Sequence, residues 1–254
     1  MTMFTLLSPQ DLALACGVAL LAGCVKGLVG FAMPMILISG LSMVLPPELA
    51  LAGLILPTLA TNAVQALREG PQAALDSIRR FRVFLLVGLL FLLTSAQLIT
   101  RVPTSTFLLM IGLPVVAFAL MQLLGVKFSL QERSLRVEAA AGAVAGFVGG
   151  MSGVWGPPTV AYLTALDTPK RDHIRIQGVI YGLGAVALTF AHLGSGILRA
   201  ETAPFSAVLI APAMIGMWVG LRWHDRIEQT TFRKATLVVL LVVGLNLVRR
   251  SLMG

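Results

Sequence analysis

The sequence predicts an all-α integral membrane protein built from two inverted repeats, each a broken or re-entrant helical hairpin followed by three transmembrane helices. Three observations carry this prediction. Of the 254 residues, 57% are hydrophobic and 12% are charged, and the mean hydropathy is +0.91. A soluble globular chain carries roughly 25% charged residues. The stretch Ala22–Pro34 recurs without gaps as Ala145–Pro157, and the same offset still relates Pro46 to Pro169. Finally, the basic residues crowd into a subset of the loops between apolar segments.

The apolar segments, in order, cover 11–45, 48–67, 82–100, 104–125, 137–166, 174–198, 203–221 and 232–253. They are too long for barrel strands of roughly 10 residues. The first and fifth exceed the roughly 20 residues that one helical span needs. Both carry helix breakers: Gly27, Gly30 and Pro34 in one, Gly150, Gly153, Gly156, Pro157 and Pro158 in the other. Each therefore reads as a hairpin of two shorter helices that enters and leaves on the same side. The three segments after each hairpin have ordinary spanning length. The expected division is a first repeat over 1–126 and a second over 127–254, together one transporter domain.

Charge tests this arrangement. If each long segment crossed once, with the N-terminus inside, 8 basic residues would lie outside and 10 inside. With two hairpins and the N-terminus outside, the split becomes 14 inside to 4 outside, with Lys26 in the membrane. The inside set is Arg68, Arg79, Arg80, Arg82, Lys127, Arg133, Arg136, Lys170, Arg171, Arg175, Arg222, Arg226, Arg233 and Lys234; Arg101, Arg199, Arg249 and Arg250 lie outside. Excess Lys and Arg mark cytoplasmic loops, so the hairpin arrangement is preferred and both termini are expected in the periplasm. The same distribution argues that the net charge of +8 serves topology rather than nucleic acid. Met1–Thr5 lacks a basic n-region, so no cleaved signal peptide is expected.

A broken helix in a bilayer frees backbone N–H and C=O groups, which persist only when enclosed by protein or lining a cavity. Paired breaks at equivalent points of two halves point to a transporter's binding site. Half-helix N-termini aim free N–H groups and a partial positive charge inward, which suits an anion. The expected substrate-binding residues are Lys26, Gly27, Gly30 and Phe31 at the first break and Gly153, Val154 and Trp155 at the second. Asn62 and Gln65 share a face of the segment after the first hairpin, near Thr61. Gln177 stands near Tyr181 in the second half, and Asn62, Gln65 and Gln177 are expected to bind and orient the substrate. Lys26 is intramembrane, with no acidic residue near it in its own segment, so an anionic substrate is its expected partner. Close packing through small residues is the competing account of the glycines. His192 is a candidate proton-coupling group, although a plain polar role is favoured for it. Glu48 and Asp167 read as solvated helix-terminal charges, and His173 and His224 as loop residues. Cys16 and Cys24 have no metal spacing and read as packing residues; no metal or cofactor is expected.

At these residues the chain resembles the sulfite exporter TauE/SafE family of membrane permeases. The resemblance covers essentially the whole chain. It rests on Ala22–Pro34, its counterpart Ala145–Pro158, and Pro57-Thr58-Leu59-Ala60-Thr61-Asn62-Ala63-Val64-Gln65. Many members have a richer glycine run where Phe31-Ala32-Met33 stands here. The resemblance implies transport of small sulfur oxyanions or organosulfonates, such as sulfite or sulfoacetate, across the bacterial inner membrane. The expected function is thus a secondary transporter, an exporter by this reading, working by alternating access around a midplane anion site. Its expected partners are a small anion, the lipid bilayer and, as an open option, a second copy of the chain. Two alternatives stand: a passive anion channel on the same fold, and an intramembrane serine protease using Ser152 and His192. The repeat argues against the protease, because Val29 is the equivalent of Ser152 while both flanking glycines recur. An enzyme is not expected.

Overall fold

The computed structural model describes residues 7–98, 103–126, 130, 133–152, 155–166, 168, 170–224 and 228–253. Among the described residues there are helices and no strands: α1 (Pro9–Val29), α2 (Met33–Leu41), α3 (Pro47–Leu67), α4 (Pro71–Arg80), α5 (Arg82–Ala96), α6 (Thr104–Leu123), α7 (Leu135–Ser152), α8 (Gly156–Ala165), α9 (Lys170–Gly194), α10 (Ala203–Val208), α11 (Ile210–His224) and α12 (Gln229–Met253). Four stretches are long and apolar enough to cross a bilayer: Pro9–Leu28, Pro47–Leu67, Arg175–Gly194 and Ala203–Trp223. α5 and the Leu108–Leu123 part of α6 are shorter apolar helices.

Both long segments are broken, the first into α1 and α2 and the fifth into α7 and α8. The members of each pair are unequal. α1 has 21 residues, about 31 Å at 1.5 Å per residue, whereas α2 has 9. α1 ends at Gly30, which adopts φ 79° and donates its N–H to Lys26 O at 2.7 Å. Ala32 then adopts φ 75°, the one non-glycine residue with positive φ among those described, and Pro34 sits in the first turn of α2. Two left-handed residues so close together reverse the chain. α2 folds back along α1 until Gly40 lies against the Val18 side chain. Met33, Met35, Leu37, Ile38 and Leu41 are all buried, so the half-helix is enclosed by protein, as an interrupted backbone in a bilayer requires.

The recurring glycines explain why α1 and α7 keep full length. A Cβ at Gly23 would strike the carbonyl of Ala213, and one at Gly27 that of Met217. From the other side, Gly216 lies against Leu20 and Gly220 against Cys24. Contacts advance together along both chains, so α1 and α11 run parallel in near backbone contact. The second copy repeats this with α5: Gly146 meets Gly88 O and Gly150 meets Leu92 O, again in parallel. Gly27 and Gly150 therefore lie inside helices and serve close packing by small residues. The breaks themselves fall one turn later.

Two further contacts run in opposite directions. Gly178 of α9 meets Gln65 and Ala66 of α3, while Gly182 meets Asn62. Gly112 of α6 faces Gly244 and Val248 of α12, and Ser251 Oγ donates to Ser105 O at 2.5 Å. Pro57, inside α3, has no N–H to give Gly53 O. Ser206 of α10 compensates: its hydroxyl donates to Gly53 O at 3.4 Å and accepts from Leu56 N at 3.1 Å.

α4 lies in what the hydropathy pattern left as a loop. Ala74 and Ser77 are its buried residues, and Arg175 of α9 ties it down through Ser77 Oγ at 3.2 Å, alongside ion pairs to Glu69 and Asp172 at 2.9 Å. Next to it, α5 starts without a capping side chain of its own. Glu138 of α7 supplies one. This fully buried carboxylate accepts the Phe84 N–H at 3.1 Å and the Arg133 Nε at 2.7 Å, while Arg133 also donates to Arg80 O and lies over the Phe81 ring. A carboxylate at a helix N-terminus matches the dipole there. Arg133→Ala would leave that charge buried without its cation, a change costing about 3 kcal/mol. The expected result is an apparent Tm lower by roughly 5–10 °C in scanning fluorimetry. Glu138→Gln, which still accepts the Phe84 N–H, is expected to lose less.

Candidate functional site

The break after α1 and the polar face of α3 come together. Lys26 lies in the last turn of α1 and is 1% exposed. Its Nζ donates to Asn62 Oδ1. Asn62 in turn donates through Nδ2 to Tyr181 O at 3.2 Å, and Tyr181 OH donates to Gly156 O at 3.4 Å. One chain of polar contacts thus links α1, α3, α9 and the start of α8. Gln65 donates through Nε2 to Gly30 O at 2.8 Å, clasping the break itself. Thr61, between them, donates its hydroxyl to Pro57 O of its own helix at 2.8 Å and lies 3.5 Å from Met33 Sδ at the start of α2.

Among the described residues no carboxylate pairs with Lys26. Two things hold the ammonium in its place. The Asn62 amide oxygen is one. The C-terminal end of α1 is the other, because its unpaired carbonyls carry partial negative charge. Neither carries the full negative charge that would neutralise an ammonium.

A small cavity of ≈ 40 Å³ borders this group. Lys26, Gly27, Gly30 and Gln65 line it on one side, Met217 and Leu221 on another, and Arg68 stands among its lining residues. Arg68 is the C-cap residue of α3 and is exposed, so a second cation reaches a cavity floored by a buried one. Sequence reading placed Arg68 only among the loop charges. The available signal was its spacing: three residues beyond Gln65, it continues the Asn62–Gln65 face past the helix end.

The two broken hairpins meet at their half-helices. Gly156 lies 3.7 Å, measured from its Cβ position, from Met35 Cε and 4.0 Å from the Phe31 ring. The Phe31 ring also packs edge-on to Phe118 at 6.2 Å. The starts of α2 and α8 therefore face one region. Their donors are unequal. The first-turn N–H groups of any helix lack intrahelical partners, but Pro34 removes one from α2, and Pro157 with Pro158 removes two from α8. The N–H of Gly30 already closes the last turn of α1. Gly153 and Val154 lie outside the described residues.

The second break is built differently around Trp155. Its indole lies against Gly149 and Gly184 and sits 6.4 Å from the Tyr181 ring. Gly149 is the repeat equivalent of Lys26, so an aromatic ring fills the place where the other half holds a cation. Gln177 is buried one residue before Gly178, at the level where α9 touches Gln65, and its Oε1 has no hydrogen-bond partner. His192 is buried but stands 11 residues beyond Tyr181, about 16 Å along α9. Its Nδ1 pairs with Ser195 Oγ at 3.0 Å. It is not part of the Lys26 group. No group of three or more potential metal ligands occurs among the described residues.

A family model described as "Sulfite exporter TauE/SafE" matches residues 15–247. No curated protein and no solved structure matches the chain.

Proposed function

The chain belongs to the sulfite exporter TauE/SafE family of membrane permeases, a transporter family and not an enzyme family, and from that premise we propose that it is a secondary carrier exporting a small sulfur-containing anion, such as sulfite or an organosulfonate, across the bacterial inner membrane. The observation that carries the reading is Lys26, a buried cation at a helix break with an amide for its partner. The anion sits against Lys26 Nζ and the start of α2. Asn62, Gln65 and Gln177 orient its oxygens, and Arg68 draws it in from one face. Electrostatic funnelling of this kind raises encounter rates more than affinity.

Alternating access follows from two inverted repeats, residues 1–126 and 127–254. Exchanged contacts support that division. α1 lies parallel to α11 as α7 lies parallel to α5, while α3 with α9 and α6 with α12 run antiparallel. A pseudo-two-fold axis in the membrane plane produces this pattern, and rocking about it would open the site to each face in turn. It also puts both termini on one face, opposite Arg68, Arg133 and Arg175, which is the periplasm by the positive-inside rule.

The test is a thermal-shift screen of the purified protein with sulfite, sulfate, sulfoacetate, taurine and carboxylates. A ligand at a hundred times its Kd stabilises the native state by about 2.7 kcal/mol. The expected result is a raised apparent Tm with sulfite or sulfoacetate and none with carboxylates; the reverse pattern would remove the sulfur assignment. Counterflow uptake in proteoliposomes separates carrier from channel, because saturable exchange requires a carrier.

A further inference from the structure

A second cavity lies away from Lys26. It is a groove of ≈ 610 Å³ between α5 and α9, floored by Ala145 and Gly146 of α7 and by Trp155. Its rims are apolar and outward-facing, with Leu86 and Phe190 two-thirds exposed. Arg82 stands at one end.

We propose that this groove is a binding site for one phospholipid of the cytoplasmic leaflet, its acyl chain lying between α5 and α9 and its anionic headgroup on Arg82. Three features fit this occupant. The lining side chains are apolar from Phe84 to Leu93, and these surfaces face hydrocarbon in a bilayer. From Arg82 to Leu93 the groove runs 11 residues along α5, about 16 Å, against a leaflet hydrocarbon depth of about 15 Å. Arg82 is exposed and has no carboxylate partner among the described residues. It lies on the arginine-rich face, where the leaflet is anionic. The chain touches Trp155, whose ring also meets Tyr181, so the lipid supports the wall of the second break.

The test reads Trp155 fluorescence in a Trp218→Phe/Trp223→Phe background, which leaves it as the one tryptophan of three. The protein is placed in phosphatidylcholine nanodiscs doped with acyl-brominated phosphatidylglycerol or, at equal mole fraction, acyl-brominated phosphatidylcholine. One basic residue near an anionic surface contributes enough to favour the anionic lipid about fivefold. The expected result is half-maximal quenching by phosphatidylglycerol at about one-fifth the mole fraction needed for phosphatidylcholine. Arg82→Gln should equalise the two lipids, and Ala187→Phe, which fills the groove, should abolish both. Equal quenching in the parent would show unspecific boundary lipid and overturn the proposal. So would absent quenching in a protein that cross-links as a dimer through cysteines placed at Leu93 and Phe190. Native mass spectrometry of the otherwise unaltered chain gives a second reading: retained phosphatidylglycerol that survives in Arg82→Gln would also overturn it.

Discussion

Lys26→Met is expected to abolish anion binding while leaving the protein at least as stable as before. Two unit charges 4 Å apart attract by about 4 kcal/mol at an effective dielectric of 20, so losing the ammonium should weaken binding by roughly a hundredfold or more. The effect on folding has the opposite sign. A buried ion is costly to desolvate, and apolar replacements of buried charges are often neutral or stabilising. Methionine keeps the length and flexibility of the lysine stem and leaves only Asn62 Oδ1 without its donor. Isothermal titration with the stabilising anion, beside a melt of the ligand-free variant, checks both signs. Unchanged affinity in a well-folded Lys26→Met protein would remove Lys26 from the site. A large loss of Tm would instead make it a structural residue.

Gly146→Val is expected to prevent assembly of the helix bundle. A Cβ at Gly146 falls on the Gly88 carbonyl oxygen, and a backbone atom cannot step aside as a flexible side chain can. Relief requires α5 and α7 to separate along their whole contact, where Gly142 and Gly150 also leave no room for a Cβ against the α5 backbone. Overpacking of ordinary cores costs roughly 1–3 kcal/mol, and this contact stands above that range because it is backbone on backbone. Size-exclusion chromatography should show loss of the monodisperse peak. Gly17→Ala is the control, since a Cβ there has open space, and it should elute like the parent.

The sequence made the helices and the breaks legible because both leave local marks: apolar runs of spanning length, and glycine with proline inside them. The same marks were ambiguous about purpose. Gly27 and Gly30 are three residues apart, yet one packs against Met217 and the other turns the chain. Nothing in a single strand of sequence tells which glycine faces a neighbouring backbone, because that depends on α11, almost two hundred residues away. Ala32 went unread for a related reason: alanine is no signal for a left-handed residue, and only the fold around it holds it there. α4 was missed because hydropathy marks spans, and a short amphipathic helix rich in polar residues has low mean hydropathy. Lys26, Asn62 and Gln65 were readable as polar residues in apolar surroundings, and the structure brings them together. Arg68 was hidden among loop charges and Glu138 stood unremarked at the start of an apolar segment, since burial and cavity lining are properties of the assembled bundle.

The carboxylate that caps α5 has alanine, Ala15, at its repeat-equivalent position. In the alternating-access reading, a fastener present on one face alone makes the inward and outward forms unequal in energy. Every 1.4 kcal/mol of that difference shifts their resting ratio tenfold. A ligand that binds only one form is weakened by the fraction of molecules in the other. On that reading the two faces should show different apparent dissociation constants for the same anion, and loosening the cap should bring them closer together.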